Sequence, residues 1–201
     1  MDRANLEAFK ELRRVIKYVL DTPNYGLKIQ PTIQEHGRDM EWNLVVYSDS
    51  DWAGDKENRM SITGFIIFVH GVPITWKSRQ QKSLAMSSSE AEYYALTEAA
   101  KEVKFVVQLL ITMGIKVSLP VIVRVDNIGA IWMAENASAG SRTKHVELKY
   151  HFIRQYVEEG FIRIIFVRTE ENISDVFTKN VTGEIQERHI QEFIVNKDLY
   201  L

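Results

Sequence analysis

Apolar residues recur every three or four positions over several stretches of the chain, which is the spacing of an amphipathic helix. The clearest stretch is near the start, where the apolar positions from Leu6 to Leu20 lie on one helical face and the turn-forming residues 21–26 end the pattern. The helices predicted in this way are 4–20, 88–113, 128–135, 145–158, 173–179 and 184–195.

Short apolar runs bounded by polar or turn-forming residues predict strands. They are 43–49, 61–69, 72–77, 120–126 and 161–167. His70-Gly71 is typical of a hairpin turn between the second and the third. A strand meander followed by strands alternating with helices predicts an α/β domain with a mixed sheet and helices on its faces. The polar stretch 31–41 reads as a linker, so we expect residues 1–40 to form a helix and linker and residues 41–201 a single domain.

The composition is that of an ordinary globular protein. Of the 201 residues, 45% are hydrophobic and 26% are charged. There is no cysteine, which excludes disulfides and cysteine-based zinc sites and suits a reducing compartment. The net charge is −2, so binding to nucleic acid or to an anionic membrane would have to come from local patches. Charges are scattered through the first twenty residues, unlike in a signal peptide, and no apolar run is long enough to span a bilayer.

Two aspartates stand where predicted strands end. Asp49 ends strand 43–49, and Asp126 ends strand 120–126. In α/β sheets, strand ends that open into loops are where ligands usually gather. For Asp126 there is a plain structural alternative, because an Asp at this place is also an ordinary N-cap for the following helix.

Glu92 lies on the apolar face of the predicted helix 88–113, together with Ala95, Leu96 and Ala99. A carboxylate on a buried face is unfavourable unless it is neutralised, which makes Glu92 a candidate ligand. The alternative is a partly exposed glutamate in the first turns, where the helix dipole favours it. Glu90 falls instead on a face that we predict to be solvated.

Asp175 is the fourth acid of interest, at the start of the predicted helix 173–179. On its own it could be an N-terminal acid near the Asn172 cap. Asp49, Glu92, Asp126 and Asp175 together could not all ionise in one place without a counter-charge. Magnesium ions accept such oxygen ligands, and two ions about 4 Å apart assist phosphodiester cleavage.

Several long motifs surround these acids in a characteristic order. They are Tyr47-Ser48-Asp49-Ser50-Asp51-Trp52-Ala53-Gly54-Asp55, Ser87-Ser88-Ser89-Glu90-Ala91-Glu92-Tyr93-Tyr94-Ala95-Leu96, Val125-Asp126-Asn127 and Asn172-Ile173-Ser174-Asp175-Val176-Phe177-Thr178-Lys179. Over roughly residues 42–180 the chain resembles the ribonuclease H domain of copia-type LTR retrotransposon polyproteins. Residues 12–27 resemble the tail of the reverse transcriptase that precedes this domain.

The resemblance implies a ribonuclease H-like mixed five-stranded sheet with helices on both faces. It also implies an endonuclease that hydrolyses the RNA strand of RNA/DNA hybrids. Asp49, Glu92, Asp126 and Asp175 would be both catalytic residues and metal ligands for two Mg²⁺ ions, with Mn²⁺ as a substitute. Asp49 would bridge the ions, Glu92 and Asp126 would hold one, and Asp175 would hold the other. The implied partners are the hybrid and the reverse transcriptase domain of the same polyprotein, with no membrane, in the cytoplasm (in a retrotransposon particle) or the nucleus.

Substrate binding needs local positive charge, and residues 76–82 contain three basic residues and no acid. We expect Lys77, Arg79 and Lys82 to contact the substrate, together with Asn127 and His145; a solvated loop is the alternative for the basic segment. His145 lies where copia relatives also show a histidine, and a helix-start or surface position is its alternative.

Other interpretations remain open. Trp52 and Trp76 would either stack on substrate or, as we expect, pack in the core. For the function, the main alternative is a catalytically inactive or domesticated ribonuclease H-like module that binds nucleic acid or a partner. The others are another nuclease of the same fold, and an appendage active only when joined to a reverse transcriptase.

Overall fold

A computed structural model describes residues 6–32, 40–55, 57–136 and 152–196. The helices are α1 (Leu6–Asp21), α2 (Ser88–Thr112), α3 (Ile128–Glu135), α4 (152–158) and α5 (Gly183–Ile190), with 3₁₀ turns at Thr169–Glu171 and Ile173–Phe177. The strands are β1 (Tyr25–Leu27), β2 (Glu41–Trp42), β3 (Leu44–Asp51), β4 (Ile62–Val69), β5 (Val72–Gln80), β6 (Lys116–Val117), β7 (Val121–Val125), β8 (Ile162–Phe166) and β9 (Ile194–Asn196).

The main sheet has five strands in the order β5-β4-β3-β7-β8. β3, β4 and β5 form an antiparallel meander, whereas β7 and β8 run parallel to β3. His70 and Gly71, between β4 and β5, both have positive φ (47° and 78°), which matches the tight turns that join twisted hairpin strands. The predicted mixed five-stranded sheet and its hairpin are thereby confirmed.

The sheet is covered on both faces. On one face α2 lies against β3, β4 and β7, and its fully buried Ala95 and Ala99 allow a close approach to the strands. On the other face Ile66 and Phe68 of the sheet pack against Ile173 of the 3₁₀ turn and residues near α5. Helices on both faces were expected, and the structure has them.

The C-terminal part differs from the sequence prediction. The helix predicted over 184–195 ends at Ile190, and β9 instead pairs antiparallel with β1, with Tyr25 opposite Asn196. Helical spacing is a local signal, whereas strand pairing with residues distant in the chain is not visible in it. Lys28 extends this pairing, since its N–H donates to the Phe193 carbonyl at 2.8 Å. The boundary placed at residue 40 stays a prediction.

α1 confirms the predicted N-terminal helix, and none of its residues is buried. Among the described helices, none is long and apolar enough to cross a membrane. Residues 145–151 of the helix predicted over 145–158 lie outside the described part of the chain, and 152–158 are helical as expected.

Candidate active site

Three carboxylates converge at one edge of the sheet. Asp49 is on β3, Asp126 directly follows β7, and Glu92 is near the start of α2. Because β3 and β7 are parallel neighbours with Ser48 opposite Val125, the two aspartates reach the same edge. One carboxylate oxygen of each of the three residues lies within 4.8 Å of the others. Asp49 and Glu92 are buried, and Asp126 is half-buried.

The position of Glu92 follows from the way α2 begins. Ser87 caps the helix, accepting a hydrogen bond from the Glu90 N–H at 3.2 Å, which places Glu92 in its first turns with its side chain toward β3. The Ser50 N–H donates to Glu92 Oε1 at 3.1 Å. Within the described part of the chain, Glu92 Oε2 is buried and has no hydrogen-bond partner. Such an atom is unfavourable by itself and is free to accept a cation.

Asp175 is positioned beside Asp49 by a 3₁₀ turn that is hydrogen-bonded to β3. The Asn172 side-chain amide donates to the Ser48 carbonyl at 3.0 Å, and its oxygen accepts from the Ser174 N–H and hydroxyl at 3.3 and 2.6 Å. Asn172 therefore ties the turn to β3 and caps it, as the sequence suggested. The Lys179 ammonium reaches both the Asp175 and the Asp49 carboxylates, so these two acids lie next to each other. The structure thus adds the fourth predicted acid to the edge of the three-carboxylate group.

Two residues directly after this turn also reach the carboxylates. The Thr178 hydroxyl donates a hydrogen bond to Asp49 Oδ2. Lys179 Nζ lies 3.0 Å from Asp175 Oδ1 and 3.8 Å from Asp49 Oδ2. One side of the acid group is therefore neutralised by a side chain of the protein.

Burial and mutual repulsion favour the protonated acids. Burial, and next the Asp175 carboxylate, raise the pKa of Asp49 to about 7, although Lys179 and Thr178 oppose the shift. Burial also raises the pKa of Glu92 well above its ordinary value, with the Asp49 charge adding to the effect. For Asp175, burial raises the pKa and Lys179 opposes it. At neutral pH the site therefore retains protons that a bound cation would replace.

The donor set fits a hard divalent cation. All the candidate ligand atoms are carboxylate oxygens, which Mg²⁺ and Mn²⁺ prefer. The partnerless Glu92 Oε2 is a ligand atom available within this group.

Lys77, Arg79 and Lys82 line one cavity of about 350 Å³ beside β5 and α2. Glu98 forms an ion pair with Lys77 at 3.3 Å. At the inner side of the cavity, the Gln81 amide donates to the Ala91 carbonyl at 2.9 Å, next to Glu92. The cavity therefore adjoins the segment of α2 that carries Glu92.

The helix face that includes Glu90 was predicted to be solvated, and this is wrong for two of its residues, although Lys101 on the same face is exposed. Tyr94 and Thr97 on that face are buried, and the Tyr94 hydroxyl donates to Glu90 Oε1 at 2.5 Å. The reason is that the segment after β5 lies against this side of α2, where Ala85 packs against Tyr94. Glu90 therefore has a structural role.

Asp126 is not the cap of α3. That role belongs to Asn127, whose side-chain oxygen accepts from the Ala130 N–H at 3.0 Å and from the Ser89 hydroxyl at 3.1 Å. The alternative explanation of Asp126 is therefore wrong, and its carboxylate is available to the acid group. Contact between Asn127 and substrate stays a prediction, and His145 lies outside the described residues.

Both tryptophans expected in the core are half-exposed. Trp76 is 50% exposed on the edge strand β5, and Trp52 is 45% exposed just after β3. For Trp76 the prediction was wrong because an edge position leaves one side of a large ring uncovered, whereas Trp52 lies in the turn that follows β3. The Trp52 indole N–H donates to the Ala85 carbonyl at 3.0 Å, which fixes that ring beside the start of α2.

No family model matches the chain. It is 35% identical over 173 residues to the retrovirus-related Pol polyprotein from transposon RE1 of Arabidopsis thaliana, a match that covers 86% of this chain and 11% of that protein. The corresponding protein from transposon RE2 of the same plant is 36% identical over 168 residues, 84% of this chain and 11% of that protein. The chain is a homologue of copia-type retrotransposon Pol polyproteins. The resemblance drawn from the motifs is thereby confirmed.

This Pol homologue spans about a tenth of the length of the curated relatives it matches. Among solved structures, it resembles that of LC11-RNase H1 in complex with an RNA/DNA hybrid, with 17% identity and a TM-score of 0.48. That match covers 68% of this chain and 94% of the other.

Sequence reasoning on this Pol homologue missed Thr178 and Lys179 as members of the site. The signal was present, because Lys179 follows Asp175 by four residues, a spacing at which side chains on one helical face meet. Thr178 gives no comparable signal, since its contact with Asp49 joins residues 129 positions apart.

Proposed function

We propose that this Pol homologue is a divalent-metal-dependent ribonuclease H that hydrolyses the RNA strand of RNA/DNA hybrids. The observation that carries the proposal is the convergence of Asp49, Glu92 and Asp126, whose carboxylate oxygens lie within 4.8 Å of one another. Homology to Pol polyproteins over most of the chain supports it. So do the motifs around these acids, which are those of the ribonuclease H resemblance.

In the proposed reaction, Asp49, Glu92 and Asp126 would hold one divalent ion, and Asp49 and Asp175 a second. When bound, such ions lower the pKa of an attacking water and stabilise the departing 3′-oxygen. The protein's own contribution is orientation. The Ser50 N–H fixes Glu92, and Asn172 holds the turn that positions Asp175. No side chain of the group needs to act as a strong base.

Substrate binding would depend on the basic cavity beside α2. Lys77, Arg79 and Lys82 present positive charge there, in a protein whose net charge is −2. Contacts to phosphates and sugars would hold the hybrid without reading its sequence, and contacts to 2′-hydroxyl groups would distinguish RNA from DNA.

The proposed partner within the chain's longer relatives is a reverse transcriptase domain. α1, which overlaps the segment resembling the end of that enzyme, exposes Phe9, Leu12 and Ile16 along its apolar face. We infer that this face packs on the polymerase. Extending the chain with a polymerase segment would then protect α1 from hydrogen exchange; unchanged exchange would contradict this inference.

The central test uses a hybrid with a labelled RNA strand in millimolar Mg²⁺. We expect the wild type to cut the RNA strand of the hybrid but not duplex DNA, and Asp126→Asn to lower the rate by about 100-fold or more. The matched control is Asp51→Asn, the same substitution at a half-exposed aspartate two residues after Asp49, which should leave the rate unchanged.

Cleavage that survives Asp126→Asn would refute the assigned site. Tight binding of the hybrid with no cleavage by the wild type, in either Mg²⁺ or Mn²⁺, would instead support the inactive nucleic-acid-binding module.

A further inference from the structure

The four acids fall into two halves that differ in how they are neutralised. Glu92 and Asp126 form no ion pair with a lysine or arginine anywhere in residues 6–32, 40–55, 57–136 and 152–196. Asp49 and Asp175, in contrast, share the Lys179 ammonium, which lies 3.8 and 3.0 Å from their nearest oxygens. A positive charge therefore already stands at the half proposed for the second ion.

The backbone places Lys179 at this position. Its N–H donates to the Asp175 carbonyl at 3.2 Å, so the two side chains leave the same side of one turn. The turn itself is tied to β3 through Asn172. The position of the ammonium is therefore set by the same elements that position Asp175.

The side chain of Lys179 is nevertheless able to leave. It is 35% exposed, whereas the side chains of Asp49 and Asp175 are only 2% and 5% exposed. A lysine is a compact point charge on a flexible four-carbon stem, so the ammonium can withdraw into water without moving the backbone. The two carboxylates cannot follow it.

We propose that Lys179 is an internal counter-ion that competes with the second divalent cation for Asp49 and Asp175. This inference rests on the proposed metal-dependent function. The free protein then binds one ion at Asp49, Glu92 and Asp126, and a second ion binds only when the Lys179 ammonium leaves. The Lys179 ammonium and a divalent ion bound to the same two carboxylates would repel each other strongly at the edge of a protein interior. The two cations therefore do not occupy this pair of carboxylates together.

The test counts Mn²⁺ ions bound to the free protein by the electron paramagnetic resonance signal of unbound Mn²⁺. The wild type should show one ion of higher affinity and a much weaker second one. In Lys179→Met, the second ion should bind at least about tenfold more tightly, and the first should tighten by a clearly smaller factor, because only one of its ligands, Asp49, lies beside the ammonium. Lys17→Met, which removes the same charge from exposed α1, should leave both constants unchanged.

Lys179→Arg retains the charge and should leave the second ion weak. With a hybrid present, Lys179→Met should also lower the Mg²⁺ concentration that gives half-maximal cleavage. The inference is wrong if Lys179→Met leaves the second constant unchanged, or if both constants tighten by the same factor, since that would be a general field effect.

Failure of the proposed function would look different. If neither the wild type nor Lys179→Met binds more Mn²⁺ than Asp126→Asn does, the proposed metal site is wrong. The inference about Lys179 is then wrong as well. If the wild type binds Mn²⁺ and cleaves hybrids but Lys179→Met changes no constant, only the role of Lys179 is wrong.

Discussion

Gly64 lies directly opposite Asp49 in the antiparallel pair of β3 and β4, and the side chain that it lacks leaves room for the turn that carries Asp175. A Cβ atom at Gly64 would meet Thr178 Cγ2 at 2.5 Å, Phe177 Cβ at 2.9 Å and the Ser174 carbonyl at 3.1 Å. The glycine is needed here for close approach, because it sits where a covering segment touches the sheet.

Gly64→Ala should therefore displace the turn from the sheet. We expect a loss of about 1–3 kcal/mol in the free energy of unfolding, measured with urea, together with weaker binding of the second Mn²⁺ ion and slower hybrid cleavage. The control is Gly183→Ala at the start of α5, where a Cβ meets nothing within 4 Å. Equal stability of Gly64→Ala and the wild type would show that the turn is not held against β4.

Much of the acid group could be predicted because its determinants are local. Asp49 and Asp126 close apolar strands, and Glu92 shares a helical face with Ala95 and Ala99. Each of these signals lies within a few residues of the acid concerned. The parallel pairing that brings the two strand ends together follows from the α/β order of elements.

The features that were missed depend on contacts between distant residues. The pairing of β1 with β9 places Tyr25 opposite Asn196, and no periodicity in either segment indicates this pairing. The exposure of Trp76 follows from the edge position of β5, which a strand pattern does not reveal. Likewise, the burial of Tyr94 depends on the segment after β5 folding back over α2.

The raised pKa of Asp49 predicts that the metal-free protein loses stability as the pH rises. Below pH 3.8, its ordinary value, the carboxyl is protonated in both states and its contribution is fully present. Between that pH and about 7 only the folded state keeps the proton, so the free energy of unfolding falls and then levels off. One pKa unit corresponds to about 1.4 kcal/mol, so the expected fall is a few kcal/mol.

The test is urea unfolding of the wild type and of Asp49→Asn in the presence of a chelator, from pH 4 to pH 8. The difference between their free energies of unfolding at each pH gives the contribution of Asp49. The difference removes the opposite slope from buried His189, whose pKa is lowered chiefly by burial. Millimolar Mg²⁺ should stabilise the wild type more at pH 8 than at pH 5, because a cation binds the deprotonated carboxylates. A pH-independent difference would contradict the assigned shift.

The basic residues that line the cavity predict that binding of the hybrid depends on the salt concentration. Replacing Arg79 and Lys82 together by alanine should weaken hybrid binding and reduce the slope of log K against log salt by about 0.9 for each phosphate that the variant no longer neutralises. Fluorescence anisotropy at several salt concentrations measures both. The control pair Arg14→Ala and Lys17→Ala removes the same charge from exposed α1, where both residues pair with neighbouring acids. An equal weakening in both double variants would show only a general charge effect.

Glu90 and Glu92 lie two residues apart on α2 and should respond in opposite ways to the same substitution. Glu92→Gln replaces a buried carboxyl group, whose ionisation is disfavoured in the folded state, by a neutral amide of the same shape, so the melting temperature of the metal-free protein should rise while hybrid cleavage falls by about 100-fold or more. Glu90→Gln weakens hydrogen bonds from the Tyr94 hydroxyl and the Met86 N–H, so it should cost about 1 kcal/mol and leave the cleavage rate nearly unchanged. Thermal unfolding in a chelator and a hybrid cleavage assay on both variants check the pair. If Glu90→Gln lost cleavage and Glu92→Gln retained it, the metal ligand on α2 would be Glu90 and the assignment of Glu92 would be wrong.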